Sequence, residues 1–462
     1  MSRLNEASVA SLKSGVRGAI LTPGSDAYEE ARRIWNAMID RRPALIVLCA
    51  ATEDVVRAVN FAREQRLPLA IRGGGHNIGG SALVDGGLVV DLSRMRSVMV
   101  DAAARRVTVE GGALLADLDA ATQAHGLATP VGINSTTGVA GLTLGGGFGW
   151  LSRKHGMTVD NLESAEVVTA AGEVVRASAT EHPDLFWAIR GGGGNFGVVT
   201  RFEFRLHRVG PDLLSGLVVY GLEEAPAVLR RYREFAATAP DDLTVWVVLR
   251  KAPPLPFLPA AVHGRPVVVL ALLYAGDPAV GERLVAPLRS FGQPLGAHVG
   301  VQPFAAWQQA FDPLLTPGAR NYWKSHNLTD VADGLLDTIV DHAGRLPTPQ
   351  TEIFLAALGG ATLRPAADAT AYSARDTRFI VNVHGRWEDA QDDARCIDWT
   401  RALFRAASPF ATGGAYVNFM TADEKDRVRD VYGANYDRLA RVKRAYDPGN
   451  LFSVNQNIAP AA

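Results

Sequence analysis

Cysteine is nearly missing: Cys49 and Cys396 stand far apart in 462 residues and form no CxxC pair. That spacing offers neither a disulfide framework nor a cysteine zinc site. Cys49, inside "ALIVLCA", reads as a small buried hydrophobe. No His-x-x-His cluster occurs, so no metal is expected. Excess charge is missing too. A formal net charge of −1 leaves no electrostatic case for nucleic acid or acidic lipid. No run approaches the ~18 apolar residues of a membrane span. The start, "MSRLNEASVASLKSG", carries no apolar signal-peptide core. The expectation is a cytoplasmic protein with no membrane or nucleic-acid partner. A P-loop is excluded because no GK[ST] occurs, and "GGGGNFG" lacks the βαβ frame of a dinucleotide fingerprint. Neither an internal repeat nor a low-complexity tract is present, and nothing fixes an oligomeric state.

What is abundant is glycine, in three clusters: "RGGGHNIGG" (72–80), "GVAGLTLGGGFGW" (138–150) and "RGGGGNFGVV" (190–199). Glycine loops let a backbone approach a ligand closely and present N–H groups to anions such as pyrophosphate. One such loop is most simply a turn; three within 200 residues favour a large phosphate-bearing ligand. His76 follows the first cluster. An imidazole there can be a turn residue, a metal ligand or a covalent anchor.

Around these loops the pattern alternates. "ALIVLCA" (44–50) and "LPLAIR" (67–72) read as strands about a helix capped by Thr52, a βαβ unit. "GLVVDLS" and "RRVTVEGG" read as strands, 113–126 as a helix and 165–178 as a hairpin. Beyond residue 208 longer strands such as "LTVWVVLR" and "RPVVVLALLY" alternate with helices. The reading is three parts: 1–208, a second domain over 209–408, and a tail over 409–462 that returns to the first.

"PLAIRGGGHNIGGSALVDGGLVVDLSRM" closely resembles the flavin loop of FAD-linked oxidases with a PCMH-type FAD-binding domain. The likeness is nearest to the berberine-bridge-enzyme-like and 6-hydroxy-D-nicotine-oxidase-like branch. "LTLGGGFGWLSRKHGMTVDNLESAEVVTAAGEVV", "HPDLFWAIRGGGGNFGVVT" and "YDPGNLFSVNQNI" match that family in the same order. The resemblance is strong over 40–205 and 430–458 and weak over 209–410. It implies an α+β protein: a two-part PCMH-type FAD-binding domain, then a substrate domain with an antiparallel sheet flanked by helices. It implies a flavoprotein oxidoreductase that oxidises a small organic substrate, with O2 as the electron acceptor. The alternatives are a 2-hydroxy-acid-type FAD dehydrogenase, or a flavin-binding protein without redox turnover.

By the same resemblance His76 is bonded to the FAD. Its neighbours Arg72, Gly73, Gly74, Gly75, Asn77, Gly80 and Ser81 are expected at the cofactor. So are Gly132, Gly138, Gly141, Gly145, Gly146 and Val199, with Asn455 and Asn457 from the tail. Part of the family has a second anchor, a cysteine in the loop that here reads "GINSTTG". Asn134 stands at that place and cannot form a thioether, so single attachment is expected. Such oxidases often carry a Y-x-N-Y motif whose second tyrosine is the base; here "AYVNFM" puts Phe419 there. Read as a strand, this segment turns Tyr416 behind the site. Tyr322, Lys324 and His326 alternate in "RNYWKSHNL" and share one strand face. Glu352 lies on a strand running toward Gly359 and Gly360. The expected base is Glu352, with its pKa raised by burial, then Tyr322, then Lys324. His384 is expected to be structural.

Overall fold

The apolar run at 44–50 forms the second strand of a small sheet in the computed structural model, which describes residues 5–462. That sheet holds β1 (Ala19–Leu21), β2 (Leu45–Leu48), β3 (Leu69–Arg72) and β4 (Leu88–Asp91) in the order β1-β2-β4-β3. The helix Thr52–Glu64 joins β2 to β3, as the pattern predicts. The two strands are not neighbours, however: β4 lies between them, parallel to both. Thr52 does not cap this helix; its hydroxyl reaches Glu166 instead. The helix start is held by buried Asp54, whose carboxylate accepts from the N–H groups of Arg17, Gly18 and Ala50. Val55, Ala58, Val59 and Ala62 pack one helix face against Val47, Leu88 and Val90. Burial of each valine or leucine stabilises by about 1.5–3 kcal/mol.

A second, antiparallel sheet follows. Its strands are β5 (Val98–Asp101) and β6 (Arg106–Glu110); then, after the short β7 (Leu127–Ala128), β8 (Leu162–Val168), β9 (Val174–Ser178) and β10 (Val198–Arg205). The order is β5-β6-β10-β8-β9, so the hairpin read at 165–178 forms one edge. β11 (His207–Arg208) pairs with β7.

The third sheet has seven antiparallel strands: β12 (Asp212–Gly221), β13 (Leu243–Lys251), β14 (Pro266–Tyr274), β15 (Gly296–Pro303), β16 (Arg320–Leu328), β17 (Glu352–Ala357) and β18 (Phe379–Trp387). Their order is β15-β12-β14-β13-β17-β18-β16. The helices Ala225–Thr238, Asp333–Ala343 and Asp393–Ala407 cover one face. The other face looks toward the glycine loops.

The tail packs Val417, Val428, Leu439, Val442 and Ile458 into the core of the second sheet. Residues 417–419 form a 3-10 turn and not a strand. The turn breaks the strict alternation expected there, and Tyr416 lines the cavity described below.

Candidate functional site

Two of the glycine clusters touch backbone to backbone. A Cβ on Gly74 would sit 2.3 Å from the amide nitrogen of Gly138, and one on Gly138 equally close to that of Gly74. Only glycine permits this crossing. The third cluster closes the same space: Gly193 adopts φ +71°, and a Cβ on Gly194, or on Gly141 of the second cluster, would meet nothing within 4 Å. Between the loops and the seven-stranded sheet lies a cavity of about 320 Å³. That is space for an organic ligand, far beyond a water.

His76 lines this cavity, stacked on Trp35 with ring centroids 4.7 Å apart. Its Nε2 lies 2.8 Å from the Thr136 hydroxyl oxygen. Asn134 Oδ1 accepts from both the amide (3.0 Å) and the hydroxyl (2.6 Å) of Thr136, while Asn134 Nδ2 donates to the Leu315 carbonyl. The Thr136 hydroxyl proton is thus spent on Asn134, and its oxygen can only accept from His76 Nε2–H. Nδ1 is left as the unprotonated nitrogen. Burial, with Arg386 nearby, pushes the imidazole pKa down to about 3, so the ring is neutral.

The sheet supplies the opposite wall. Strand register places Trp323, His384, Glu352 and Arg250 side by side across β16, β18, β17 and β13. Glu352 accepts from Arg250 at 2.7 Å and faces His384 Nδ1 at 3.1 Å. Burial alone would raise the Glu352 pKa. The Arg250 charge, the His384 hydrogen bond and Arg386 outweigh it and hold the carboxyl down at about 2. The expectation of a raised pKa is therefore corrected: the register brings Arg250 beside the carboxylate. Glu352, His384, Trp323 and Asn382 all line the cavity, as does Phe419, which packs 5.5 Å from Trp323.

Tyr322 and Lys324 are turned to the other face. The Tyr322 hydroxyl donates to Asp423 at 2.6 Å and accepts from Arg401; Lys324 Nζ reaches Thr421 and Asp423 and pairs with Glu424 at 3.1 Å. His326 stacks on Phe404 on that same side. The alternation read from "RNYWKSHNL" is present, but its cavity side is the one carrying Trp323. One cavity does not gather Glu352, Tyr322 and Lys324.

The other expected positions divide in the same way. Gly73, Gly74, Gly75, Asn77 and Ser81 line the cavity, with Gly132, Gly138, Gly141, Val199 and Asn455. Arg72 turns to the Ala31 carbonyl and Asp91. Gly80 packs against Ile39, Gly145 against Asn418 and Gly146 against Tyr372, and none of these four lines the cavity. Asn457 stands outside the lining as well, with its buried side-chain oxygen unpartnered. Trp35, Gly193, Gly194 and His384 line the cavity beyond the positions expected from the sequence, and the third glycine cluster is the sequence signal for two of them.

FAD fits these residues. The glycines leave open a wall that side chains would fill, and the buried Asn455 Oδ1 beside them has no partner in the protein. Fold and cavity together define an FAD-dependent oxidoreductase. Comparison with known proteins makes this specific. Residues 43–178 match the FAD binding domain family and residues 415–459 the berberine and berberine-like family. An FAD-linked oxidoreductase of Dictyostelium discoideum is 32% identical over 96% of this chain and 95% of its own length. The (R)-6-hydroxynicotine oxidase of Paenarthrobacter nicotinovorans is 30% identical over 96% of this chain and 97% of its own. The crystal structure of 6-hydroxy-D-nicotine oxidase from Arthrobacter nicotinovorans superposes with a TM-score of 0.84 at 28% identity, covering 96% of this chain and 98% of that one. The xylooligosaccharide oxidase of Myceliophthora thermophila gives 0.84 at 26%, covering 99% and 100%. The chain belongs to the berberine-like FAD-linked oxidoreductase family.

Proposed function

We propose that the cavity holds FAD bonded to the protein through His76 alone, and that the chain oxidises a small organic substrate against the sheet wall. The observation that carries this reading is His76. It is a neutral imidazole on the glycine loop, with one nitrogen committed to Thr136 and the other free as a nucleophile. Asn134 stands where a second anchor would be and instead orients Thr136, so one bond is expected. Bound FAD supplies an acceptor for a substrate hydride, with O2 as the expected final electron acceptor. The residues bind and orient: Trp323, Phe354 and Phe419 form apolar walls, while Asn382 and His384 supply polar groups. Alcohols, amines, sugars and secondary metabolites are compatible classes. Relatives named for 6-hydroxynicotine and xylooligosaccharide oxidation support an alcohol or amine carbon as the reacting centre.

The test is anaerobic bleaching of the holoenzyme by 6-hydroxy-D-nicotine, xylobiose, benzyl alcohol and lactate, followed by admission of O2. Bleaching and rapid recovery are expected with at least one of the first three. Bleaching by lactate alone would favour a 2-hydroxy-acid dehydrogenase, and none at all a flavoprotein without turnover.

A further inference from the structure

Seven buried polar atoms without partners lie on β16 and β18: Trp323 Nε1, Ser325 Oγ, His326 Nδ1, Asn327 Oδ1, Asn382 Oδ1, His384 Nε2 and Arg386 Nε. Buried polar atoms are normally paired, and three of these, on Trp323, Asn382 and His384, belong to residues that line the cavity. Two of the seven belong to imidazoles able to gain a proton near neutral pH; His326 is stacked on Phe404 on the helix-covered face, and His384 is the one that lines the cavity. His384 is 4% exposed, lines the cavity and packs edge-on to Trp323 with centroids 4.0 Å apart.

We propose that His384 Nε2 is the proton acceptor of the oxidation and that Glu352 is its positioning residue. The inference rests on the FAD-dependent reading above. Paired with Arg250 at 2.7 Å, Glu352 stays an ionised carboxylate that can only accept. The hydrogen bond at 3.1 Å therefore places the proton of His384 on Nδ1, and Nε2 keeps its lone pair. The groups facing His384 are Glu352 on β17, Arg250 on β13, Arg386 on β18 and neutral His76 across the cavity. Trp323 and Phe419 bring no charge. Burial lowers the imidazole pKa, which keeps it neutral before reaction. When it takes a proton, the new charge is balanced by the carboxylate already in place.

The step balances. A substrate CH–OH loses its hydroxyl proton to Nε2, and the O–H electron pair becomes the new C=O bond. The C–H hydrogen leaves with its electron pair to the bound FAD, which is reduced as the substrate is oxidised. Glu352 cannot play this part while tied to Arg250, and Phe419 has no acceptor.

Two measurements on the holoenzyme test this. In protein labelled with 15N-histidine, the signals lost in both His384→Asn and His384→Gln identify the residue. At pH 7 Nδ1 is expected to carry the proton and Nε2 none, with Nε2 shifting when benzyl alcohol is added. Anaerobic flavin reduction by the fastest panel compound is expected to fall ~10²–10⁴-fold in His384→Asn at unchanged flavin content, with loss of the acid limb of the pH profile. Glu352→Gln is expected to disturb the tautomer and slow reduction less. A protonated Nε2 at pH 7, or His384→Asn within a few-fold of the parent while Glu352→Gln is severely slowed, would overturn the assignment and leave the FAD reading standing. A parent bleached by no compound would overturn the redox reading itself, and this inference with it.

Discussion

At the scale of single residues, the site depends on where protons are already committed. Thr136 spends its hydroxyl proton on Asn134, and this selects the His76 tautomer. Thr136→Val removes that acceptor. The fraction of flavin left with acid-precipitated protein is expected to fall, while the flavin that does bind keeps its native absorbance shape. Peptide mapping of the parent should find one flavinylated peptide, containing His76; a second spanning 130–138 would contradict single attachment. His384 shows why a residue's role was hidden in the sequence. "VNVHGRW" reads as an ordinary strand with one histidine. Its meaning comes from pairing with Glu352, 32 residues earlier in the chain, and no local pattern carries that register.

At the scale of elements, the sequence was legible wherever periodicity suffices. β16 spans 320–328, as read, and the glycine clusters do converge. Which side of β16 faces the cavity was not legible: alternation gives two faces but not their assignment. The helix Asp393–Ala407, remote in sequence, covers the face carrying Tyr322 and His326 and so decides it. Likewise the tail's polarity hid a buried joint. Lys443 and Asp447, both fully buried, pair at 2.7 Å; Lys443 also donates to the Asn195 and Phe452 carbonyls, and Asp447 accepts from the Leu451 and Phe452 amides. This ties the end of the helix Tyr436–Tyr446 to the third glycine cluster. Lys443→Ala leaves a buried carboxylate without its counter-charge and is expected to cost about 3–5 kcal/mol in denaturant unfolding. Gly74→Ala, which drives a methyl into the Gly138 backbone, is expected to lose flavin even where the fold survives.

At the scale of the whole molecule, the flavin part and the large sheet are clamped by a few buried polar groups. Arg153 donates to the Leu243, Leu358 and Ala239 carbonyls across the junction. Asp119, on the helix Leu115–Gln123, accepts from Gln308 of the helix Phe304–Gln308. Burial pushes the Asp119 pKa up to about 7, with a smaller opposing effect from the Gln308 hydrogen bond. The sign follows. The folded state holds the proton between the unfolded value near ~4 and about 7, so stability falls as pH rises through that window, by up to about 1.4 kcal/mol per unit. Asp119→Asn is expected to flatten this slope in urea unfolding between pH 4 and 7; an unchanged slope would show that Asp119 is not its source. The central claim is that the space between the glycine loops and the seven-stranded sheet holds FAD tethered at His76. It is tested most directly by acid precipitation of the purified protein. A yellow pellet is expected, with the flavin mass on the peptide containing His76, and with flavin released into the supernatant once His76 is replaced by alanine. A colourless parent, or flavin recovered wholly in its supernatant, would contradict it.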